Sequence, residues 1–341
     1  MNISTINNLT QLANFLRCDE VFLNAYLKGD ALILDRNDDL TMPVTTGYTS
    51  IIEKLYLRKK NKLIKSYREV YSVRTDTLKN VLKGLSTFLK ESHIPSNAVH
   101  GYVHGRNIRT NAEMHLSKRY LLSVDISNFF GSITTDMVSK ALLSVGYSDF
   151  AVQHLSKIVT INNFLPPGFS TSPIISNIVV NSMDEDLLHL SGNDCVYTRY
   201  ADDLYFSSNT PLPLLENISA IVFNYGFILN PQKTKYMPRG VKQYVTGLTV
   251  FDDVRPRVTK RIKRNLRLEL HYLLAYGLQG HVLKILDKTK EEYNADNYLK
   301  SQVDAEVKSI DNRITGWLRF MNSVERTAAQ KLISEYNKVG L

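Results

Sequence analysis

The chain has 341 residues, and its 42 Lys and Arg outnumber 33 Asp and Glu to give a formal net charge of +9. This length allows two or three domains or subdomains with a sizeable core, and the basic excess favours a polyanionic partner bound through counterion release. No apolar run reaches the ~18 residues of a membrane span and no signal segment opens the chain, so we expect a cytoplasmic protein without a membrane partner. Cys18 and Cys195 are too few for a disulfide framework or a zinc site.

The N-terminal third is predicted to be mostly helical. Residues 1 to about 60 follow helical spacing, residues 64–73 alternate and predict a strand, and a helix is predicted from Thr75 to before Pro95. Residues 97–117 are polar and predict an irregular loop region.

The remainder mixes strands and helices before it becomes helical and basic. Helices are predicted over residues 135–143 and 174–188, within a mixed region from 120 to about 250. From Thr259 onward the pattern is helical, and basic side chains are frequent while acidic ones are nearly missing from its first turns.

Two adjacent carboxylates, Asp202 and Asp203, lie between apolar segments that both predict strands. Residues 195–200 and 204–206 are rich in β-formers, so the acidic pair falls at the tip of a β-hairpin. Like charges this close raise each other's pKa, and a divalent cation, which prefers oxygen ligands, would remove that penalty. A solvated acidic turn is the alternative that spacing alone leaves open.

A third carboxylate, Asp125, lies in an apolar run over residues 120–126 that also predicts a strand. If this strand neighbours the hairpin in one sheet, the three carboxylates converge. Such a cluster could hold two Mg²⁺ ions about 3.5–4 Å apart, which stabilise both the attacking and the leaving oxygen in polymerases. The alternative is a strand-end carboxylate that caps a turn.

Five short segments occur in a fixed order: residues 125–130, 165–173, 200–203, 226–235 and 245–247. This series resembles the ordered motifs of reverse transcriptases, and the resemblance covers roughly residues 60 to 250. The second segment departs from the family, which usually has Leu-Pro-Gln-Gly. This chain has Pro167 in the Gln position, so any contact of that amide with nucleotide or template is missing.

Three elements narrow the resemblance to bacterial retron reverse transcriptases. Residues 111–115 (Asn-Ala-Glu-Met-His) match the Asn-Ala-x-x-His element typical of that group, and residues 245–247 (Val-Thr-Gly) match the element that its members carry after the palm. Residues 316–324 are similar to the retron thumb.

The resemblance implies an α+β right-hand polymerase. The expected domains are an N-terminal helical segment and fingers over residues 1–117, a palm with an antiparallel sheet flanked by helices over residues 118–255, and a helical thumb over residues 256–341. Finger elements are expected to be inserted in the palm.

The resemblance also implies a catalytic metal centre. Asp125, Asp202 and Asp203, together with the backbone carbonyl of Ile126, are the expected ligands of two Mg²⁺ ions, with Mn²⁺ as a possible substitute.

Further residues are expected to contact the incoming nucleotide. Phe130 matches the bulky steric gate that rejects a 2′-hydroxyl and selects dNTPs, although a core aromatic beside Phe129 is the alternative; strand alternation would turn only one of the two toward the core. Gly168 would allow the backbone to approach nucleotide and template closely.

Three basic residues are expected at the triphosphate. Lys233 matches the lysine that is a candidate general acid for the pyrophosphate leaving group, with a solvated surface lysine as the alternative. Arg68 and Lys62 match positions that grip the triphosphate.

Two groups of residues are expected to contact RNA. In a retron enzyme Asn111 and His115 would hold the fingers and the RNA, a role we favour over catalysis. The basic helix would track phosphates with Lys260, Arg261, Arg264 and Arg267.

The function implied is RNA-templated DNA synthesis from dNTPs, primed from a guanosine 2′-hydroxyl of a cognate structured RNA. The product would be a branched RNA–DNA hybrid (multicopy single-stranded DNA) that serves phage defence beside an effector protein. Two alternatives stay open: a reverse transcriptase of a group II intron or diversity-generating element, and a catalytically silent subunit that binds structured RNA.

Overall fold

The computed structural model describes residues 3–28, 33–36, 52–58 and 67–339. The chain forms two compact units, one made of Met1–Asn107 and Tyr120–Tyr236 and the other of Ile108–Arg119 and Met237–Leu341. No helix within the described ranges is long and apolar enough to cross a membrane. The finger, palm and thumb boundaries at 117 and 255 stay a prediction.

The first unit contains a short 3-10 helix at Ile3–Thr5 and most of the shorter α-helices. These are α1 (Leu9–Leu16), α2 (Glu20–Leu27), α3 (Asp76–Ser92), α5 (Phe129–Ser132), α6 (Thr135–Ser144), α7 (Asp149–Val159), α8 (Ser172–Val179), α9 (Asn181–Ser191) and α10 (Leu215–Asn224). The second unit contains α4 (Ile108–Glu113), α11 (Lys260–Ile285), α12 (Lys290–Ala295), α13 (Asn297–Val324) and α14 (Arg326–Tyr336).

The strands form three sheets. They are β1 (Ile33–Arg36), β2 (Ile52–Arg58), β3 (Tyr67–Val73), β4 (Tyr120–Asp125), β5 (Cys195–Tyr200), β6 (Asp203–Ser208), β7 (Lys235–Pro238), β8 (Tyr244–Val245), β9 (Leu248–Thr249) and β10 (Arg257–Val258). The first sheet has the order β1-β2-β3, the second β5-β6-β4-β7 and the third β10-β9-β8.

Strands β4, β5 and β6 of the second sheet contribute to the core of the first unit. Strand β6 is antiparallel to both β5 and β4, and its five consecutive residues after Asp203 are buried. Such continuous burial means that both faces of the strand are covered. The predicted α+β class with an antiparallel sheet is confirmed.

Helices α6 and α7 begin at residues whose side chains accept hydrogen bonds from the first backbone N–H groups of the helix. The Thr134 hydroxyl accepts from the backbone N–H of Met137 at 3.2 Å at the start of α6, and Ser148 does the same for Ala151 at 3.2 Å at the start of α7. Such N-cap contacts satisfy backbone donors that have no partner inside the helix.

Several predicted elements are confirmed, and three predictions are wrong. Strands β3 to β6 and the helices near residues 76–92 and 135–144 fall where the sequence placed them. Residues 33–36 and 52–58, however, are strands rather than helices, because β2 pairs with β3 along its whole length from Ile52↔Val73 to Arg58↔Tyr67. The predicted loop at 97–117 contains α4, and the helix expected over 174–188 is divided at Val180, whose ψ of 8° lies outside the helical range.

Candidate active site

The acidic pair occupies the turn of a tight hairpin. Strands β5 and β6 pair from Cys195↔Ser208 to Tyr200↔Asp203, so that only Ala201 and Asp202 lie between the two strands. Ala201 has a φ of +58°, a conformation that hairpin turns usually give to Gly or Asn. The turn therefore holds a non-glycine residue in a conformation that the surrounding structure has to stabilise.

The third carboxylate lies beside this turn, as the sequence predicted. Asp125, the last residue of β4, is the register partner of Asp203. The next backbone N–H, that of Ile126, donates to the Asp202 carbonyl at 2.9 Å. The sheet thus brings Asp125, Asp202 and Asp203 to the same end of β4 and β6.

This cluster carries concentrated negative charge in a partly buried place. Burial, reinforced by the charges of Asp202 and Asp125, raises the pKa of Asp203 to about 6. Burial is also the main cause that raises the pKa of Asp202, with a further contribution from Asp125. Both shifts indicate that a cation at this position would stabilise the ionised carboxylates.

Lys233 supplies one positive charge to the cluster. Its Nζ donates to Asp125 Oδ2 at 2.7 Å, and this contact raises the pKa of the lysine. The backbone places it there, because the Asn230 N–H donates to the Asp125 carbonyl at 2.7 Å and the Lys233 N–H donates to the Asn230 carbonyl at 3.2 Å. Lys233 is therefore part of the site, although its side chain is 59% exposed.

Within the described ranges, no three His, Cys, Asp or Glu side chains are already arranged as a metal-binding group. One physical reason is visible at Asp125, where the Lys233 ammonium occupies an oxygen that a metal ion would use. The residue types fit a hard cation such as Mg²⁺. A cation bound through this oxygen would share it with Lys233 or displace the ammonium from it.

Phe129 and Phe130 differ in burial, but the prediction that only one of them faces the core is wrong, because both rings pack against the same hydrophobic core. They lie in the helical turn α5 rather than in a strand, and Phe129 is buried while Phe130 is half-buried. The Phe130 ring lies 6.3 Å from that of Tyr102, centroid to centroid. The neighbouring Gly101 packs against the backbone of Ala201, so this aromatic pair lies near the acidic turn; burial raises the pKa of Tyr102, with a further contribution from the charge of Asp202.

A glycine is required at position 168 because another part of the protein backbone passes close to it. Gly168 has a φ of +110°, and a Cβ built there would overlap the carbonyl oxygen of Tyr71. The neighbouring Pro167 carbonyl accepts from the Tyr71 N–H at 2.7 Å. The loop that contains Pro167 is therefore fixed to β3 through its backbone, which needs no side-chain amide.

Arg68 and Lys62, the two residues expected to grip the triphosphate, differ in whether the structure describes them. Arg68 is exposed on β3 as the partner of Leu57. Burial raises the pKa of Asp202, and the charge of Arg68 is among those that partly oppose this rise. This places Arg68 near the acidic turn. Lys62 lies outside the described residues.

Asn111 and His115 belong to the second unit, and both are buried with 0% exposure. The expectation that they contact RNA directly is not supported by this placement, because a buried side chain cannot reach a polyanion without a structural change. They lie instead in a segment that contacts the Val-Thr-Gly element, since the Thr246 hydroxyl donates to the carbonyl of Ile108 at 2.8 Å. The two retron-type elements therefore form one structural unit.

The four basic residues predicted to track phosphates are all exposed along the first turns of α11: Lys260, Arg261, Arg264 and Arg267. Lys263, in the same run, instead pairs with the buried Glu325 at 2.7 Å. The exposed positions remain available to an external anion, and their role stays a prediction.

Sequence reasoning missed a buried set of polar residues next to the turn. Arg199 and Asp184 form an ion pair with 0% exposure at either side chain, and Asn177 joins them. The available signal was an arginine inside the apolar strand run, which is unusual unless the charge is paired. Nothing in the sequence, however, pointed to Asp184 as its partner.

Comparison with known proteins defines the class. A family model described as "Reverse transcriptase (RNA-dependent DNA polymerase)" matches residues 57–250, more than half of the chain. The chain therefore belongs to the reverse transcriptase family, whose members have a right-hand polymerase fold and generally use divalent metal ions.

The relatives are retron enzymes, which confirms the predicted resemblance. The chain is 31% identical over 229 residues to the retron Mx65 reverse transcriptase of Myxococcus xanthus, covering 58% of this chain and 53% of that protein. It is 24% identical over 276 residues to the retron Ec86 reverse transcriptase of Escherichia coli, covering 80% and 74%, and 32% identical over 207 residues to the Ec83 enzyme, covering 56% and 66%. The matched regions thus span from about half to three quarters of the length of these relatives.

Proposed function

We propose that the chain is a retron-type RNA-directed DNA polymerase that adds dNTPs to a growing DNA 3′ end on an RNA template. The observation that carries the proposal is the pairing of Asp125 with Asp203 beside Asp202, in a chain related to retron reverse transcriptases. We propose that its domains are the fingers, palm and helical thumb of a right-hand polymerase.

The metal ions proposed are two Mg²⁺, with Mn²⁺ as a substitute, held by Asp125, Asp202, Asp203 and the Ile126 carbonyl. Bound Mg²⁺ would lower the pKa of the attacking hydroxyl and neutralise charge on the leaving pyrophosphate. The raised pKa values of Asp202 and Asp203 support this assignment, because they show that the protein alone does not balance the charge there. Lys233 is the proposed proton donor to the leaving group, and its contact with Asp125 supports this role.

The nucleotide pocket proposed includes Phe130 as the steric gate and Arg68 as a triphosphate ligand. The half-buried ring of Phe130 and the electrostatic influence of Arg68 on Asp202 support these roles. Gly168 would act indirectly, by allowing its loop to pack on β3. Lys62 is proposed on family likeness alone.

The nucleic-acid partners proposed are a cognate structured RNA, which serves as template and 2′-hydroxyl primer, and the RNA–DNA hybrid product. The exposed residues Lys260, Arg261, Arg264 and Arg267 are the proposed phosphate contacts. Asn111 and His115 would support the structure of the retron-type elements from the interior. Because the chain resembles retron enzymes, we also propose that it acts together with an effector protein in antiphage defence.

The nucleic acid that co-purifies with the protein provides the test. The chain is expressed from its own locus with flanking DNA, purified, and its nucleic acid is treated with ribonuclease and then with a 2′,5′-debranching enzyme. We expect single-stranded DNA whose branched RNA end is lost on debranching, and none from an Asp202→Asn variant. Unbranched cDNA would indicate another reverse transcriptase class, and wild-type protein without cDNA would contradict the proposed activity.

A further inference from the structure

A fully buried ion pair joins Asp184 to Arg199, which lies two residues before Ala201 in the candidate catalytic hairpin turn. Arg199 Nη2 donates to Asp184 Oδ2 at 2.7 Å and Arg199 Nε donates to Asp184 Oδ1 at 2.8 Å. Both side chains have 0% exposure. Burying two charges costs solvation energy that only well-aligned hydrogen bonds offset, so the pair on its own does not explain why an arginine is present here.

The remaining guanidinium nitrogen contacts the turn itself. Arg199 Nη1 donates to the carbonyl of Ala201 at 3.2 Å and to Asn177 Oδ1 at 3.1 Å. Ala201 is the residue with a φ of +58°, a left-handed conformation that is unfavourable for alanine because its Cβ crowds the backbone. The residue after it is Asp202, so the hydrogen bond to Ala201 holds the backbone that presents this carboxylate.

A second segment contacts the same turn from the chain before α4. The Arg199 N–H donates to the Ala98 carbonyl at 2.8 Å, and the His100 N–H donates to the Arg199 carbonyl at 2.8 Å. The side-chain amide of Asn177 donates to the Gly101 carbonyl at 3.0 Å. A Cβ built at Gly101 would overlap the backbone nitrogen of Ala201, so the segment and the turn pack with no space between them.

We propose that Arg199, Asp184, Asn177 and Gly101 form a turn clamp that positions Asp202 for the reaction. The clamp fixes Ala201 in its left-handed conformation through the guanidinium on one side and the Gly101 backbone on the other. These are positioning residues, since none is required to touch substrate. The inference rests on the proposed function, in which Asp202 is a catalytic carboxylate.

Such a clamp is needed because a catalytic carboxylate has to be held closely in position. A catalytic group has to stay within about 0.5 Å of its productive position, and a misplacement of 1 Å can reduce the rate about a hundredfold. A tight turn that carries two mutually repelling carboxylates relaxes easily when its backbone contacts are lost. The buried arginine resists this relaxation because its fork geometry reaches Asp184, Asn177 and the Ala201 carbonyl together.

The test compares variants that remove buried hydrogen bonds from the same polar cluster, either with or without contact to the turn. Asn177→Ala removes the bonds to Arg199 and to the Gly101 carbonyl, while Tyr197→Phe is the matched control. The Tyr197 hydroxyl donates to Asp184 Oδ1 at 2.7 Å, in the same cluster but without contact to the turn. Arg199→Lys, which keeps the charge and loses the fork, is a second clamp variant in case Asn177→Ala does not fold.

Two measurements are made on each purified full-length chain: primer extension on RNA with Mg²⁺, and amide hydrogen exchange of the peptide that contains residues 200–203. We expect each clamp variant to lower kcat about tenfold to a hundredfold, with a much smaller change in the dNTP KM and faster exchange at the turn. Tyr197→Phe is expected to retain wild-type exchange at the turn and kcat within about twofold, even where its stability falls equally.

The outcomes separate the clamp from the proposed function. If wild-type protein extends primers while clamp variants and Tyr197→Phe lose kcat equally, the clamp is overturned and the polymerase assignment stands. If wild-type protein does not extend primers, the proposed function fails, and exchange still tests the clamp. If amide exchange at residues 200–203 is unchanged in a folded clamp variant, that result alone overturns the clamp.

Discussion

Asp125 lies directly opposite Asp203 where β4 pairs with β6, and the two carboxylates are in unequal environments. Asp125 accepts a hydrogen bond from Lys233 at 2.7 Å, whereas burial and neighbouring acids raise the pKa of Asp203 to about 6. The negative charge of the cluster is therefore concentrated on the hairpin side.

Asp203→Asn is expected to stabilise the protein when metal ions are chelated. A carboxyl whose folded pKa is raised destabilises the fold above that pKa, because the unfolded state ionises more easily; this cost disappears as the pH falls from about 6 to below about 4. Chemical unfolding in EDTA should therefore show a gain on the order of 1 kcal/mol at pH 8 and little gain at pH 4. The exposed Asp253 provides an Asp→Asn control outside the acidic cluster. A variant that is less stable than wild type at pH 8 would refute the prediction.

Gly168→Ala is expected to destabilise the loop that packs on β3. The substitution forces alanine into a φ of +110° and places its Cβ against the Tyr71 carbonyl, so the free energy of unfolding should fall by more than about 1 kcal/mol. Gly146→Ala is the matched control, since Gly146 has a φ of +88° and no atom within 4 Å of an added Cβ. Urea titration of both variants separates backbone strain from steric overlap. Equal losses would mean that the contact with Tyr71 contributes nothing.

Phe130→Val is expected to weaken the discrimination between dNTPs and rNTPs. The half-buried ring would no longer fill the space next to a 2′-hydroxyl, so the ratio of kcat/KM values for dNTP and rNTP should fall about tenfold to a hundredfold. Phe15→Val is the control, because Phe15 is another half-buried aromatic, packed edge-on against Phe88 at 5.0 Å. If the ratio in Phe130→Val stays at the wild-type value, Phe130 is not a steric gate.

The sequence predicted the acidic site better than its surroundings, for physical reasons that particular residues illustrate. Strand β5 and Asp125 were found because alternation and apolar runs are local signals. Strand β2 was missed because it is stabilised by pairing with β3 rather than by its own residues. The break at Val180 has no Gly or Pro to mark it.

The supporting residues of the site were the least predictable part. Arg199 and Asp184 are joined only by tertiary folding, and the burial of Asn111 depends on packing that its motif does not reveal. Likewise, the sequence predicts that Gly168 allows close approach of nucleotide and template, whereas its close neighbour in the structure is Tyr71. Motifs identify which residue types are present, but their contacts follow from long-range packing.

The most direct test of the central claim is primer extension by purified Asp202→Asn protein on an RNA template with dNTPs and Mg²⁺. Asp186→Asn is the matched control, because Asp186 is an exposed acid that accepts a hydrogen bond from Tyr225 at 2.7 Å outside the acidic cluster. We predict that Asp202→Asn lowers the extension rate about a thousandfold or more with RNA binding retained, while Asp186→Asn extends primers like wild type. Extension by Asp202→Asn at the wild-type rate would contradict the assignment of this site as a polymerase centre.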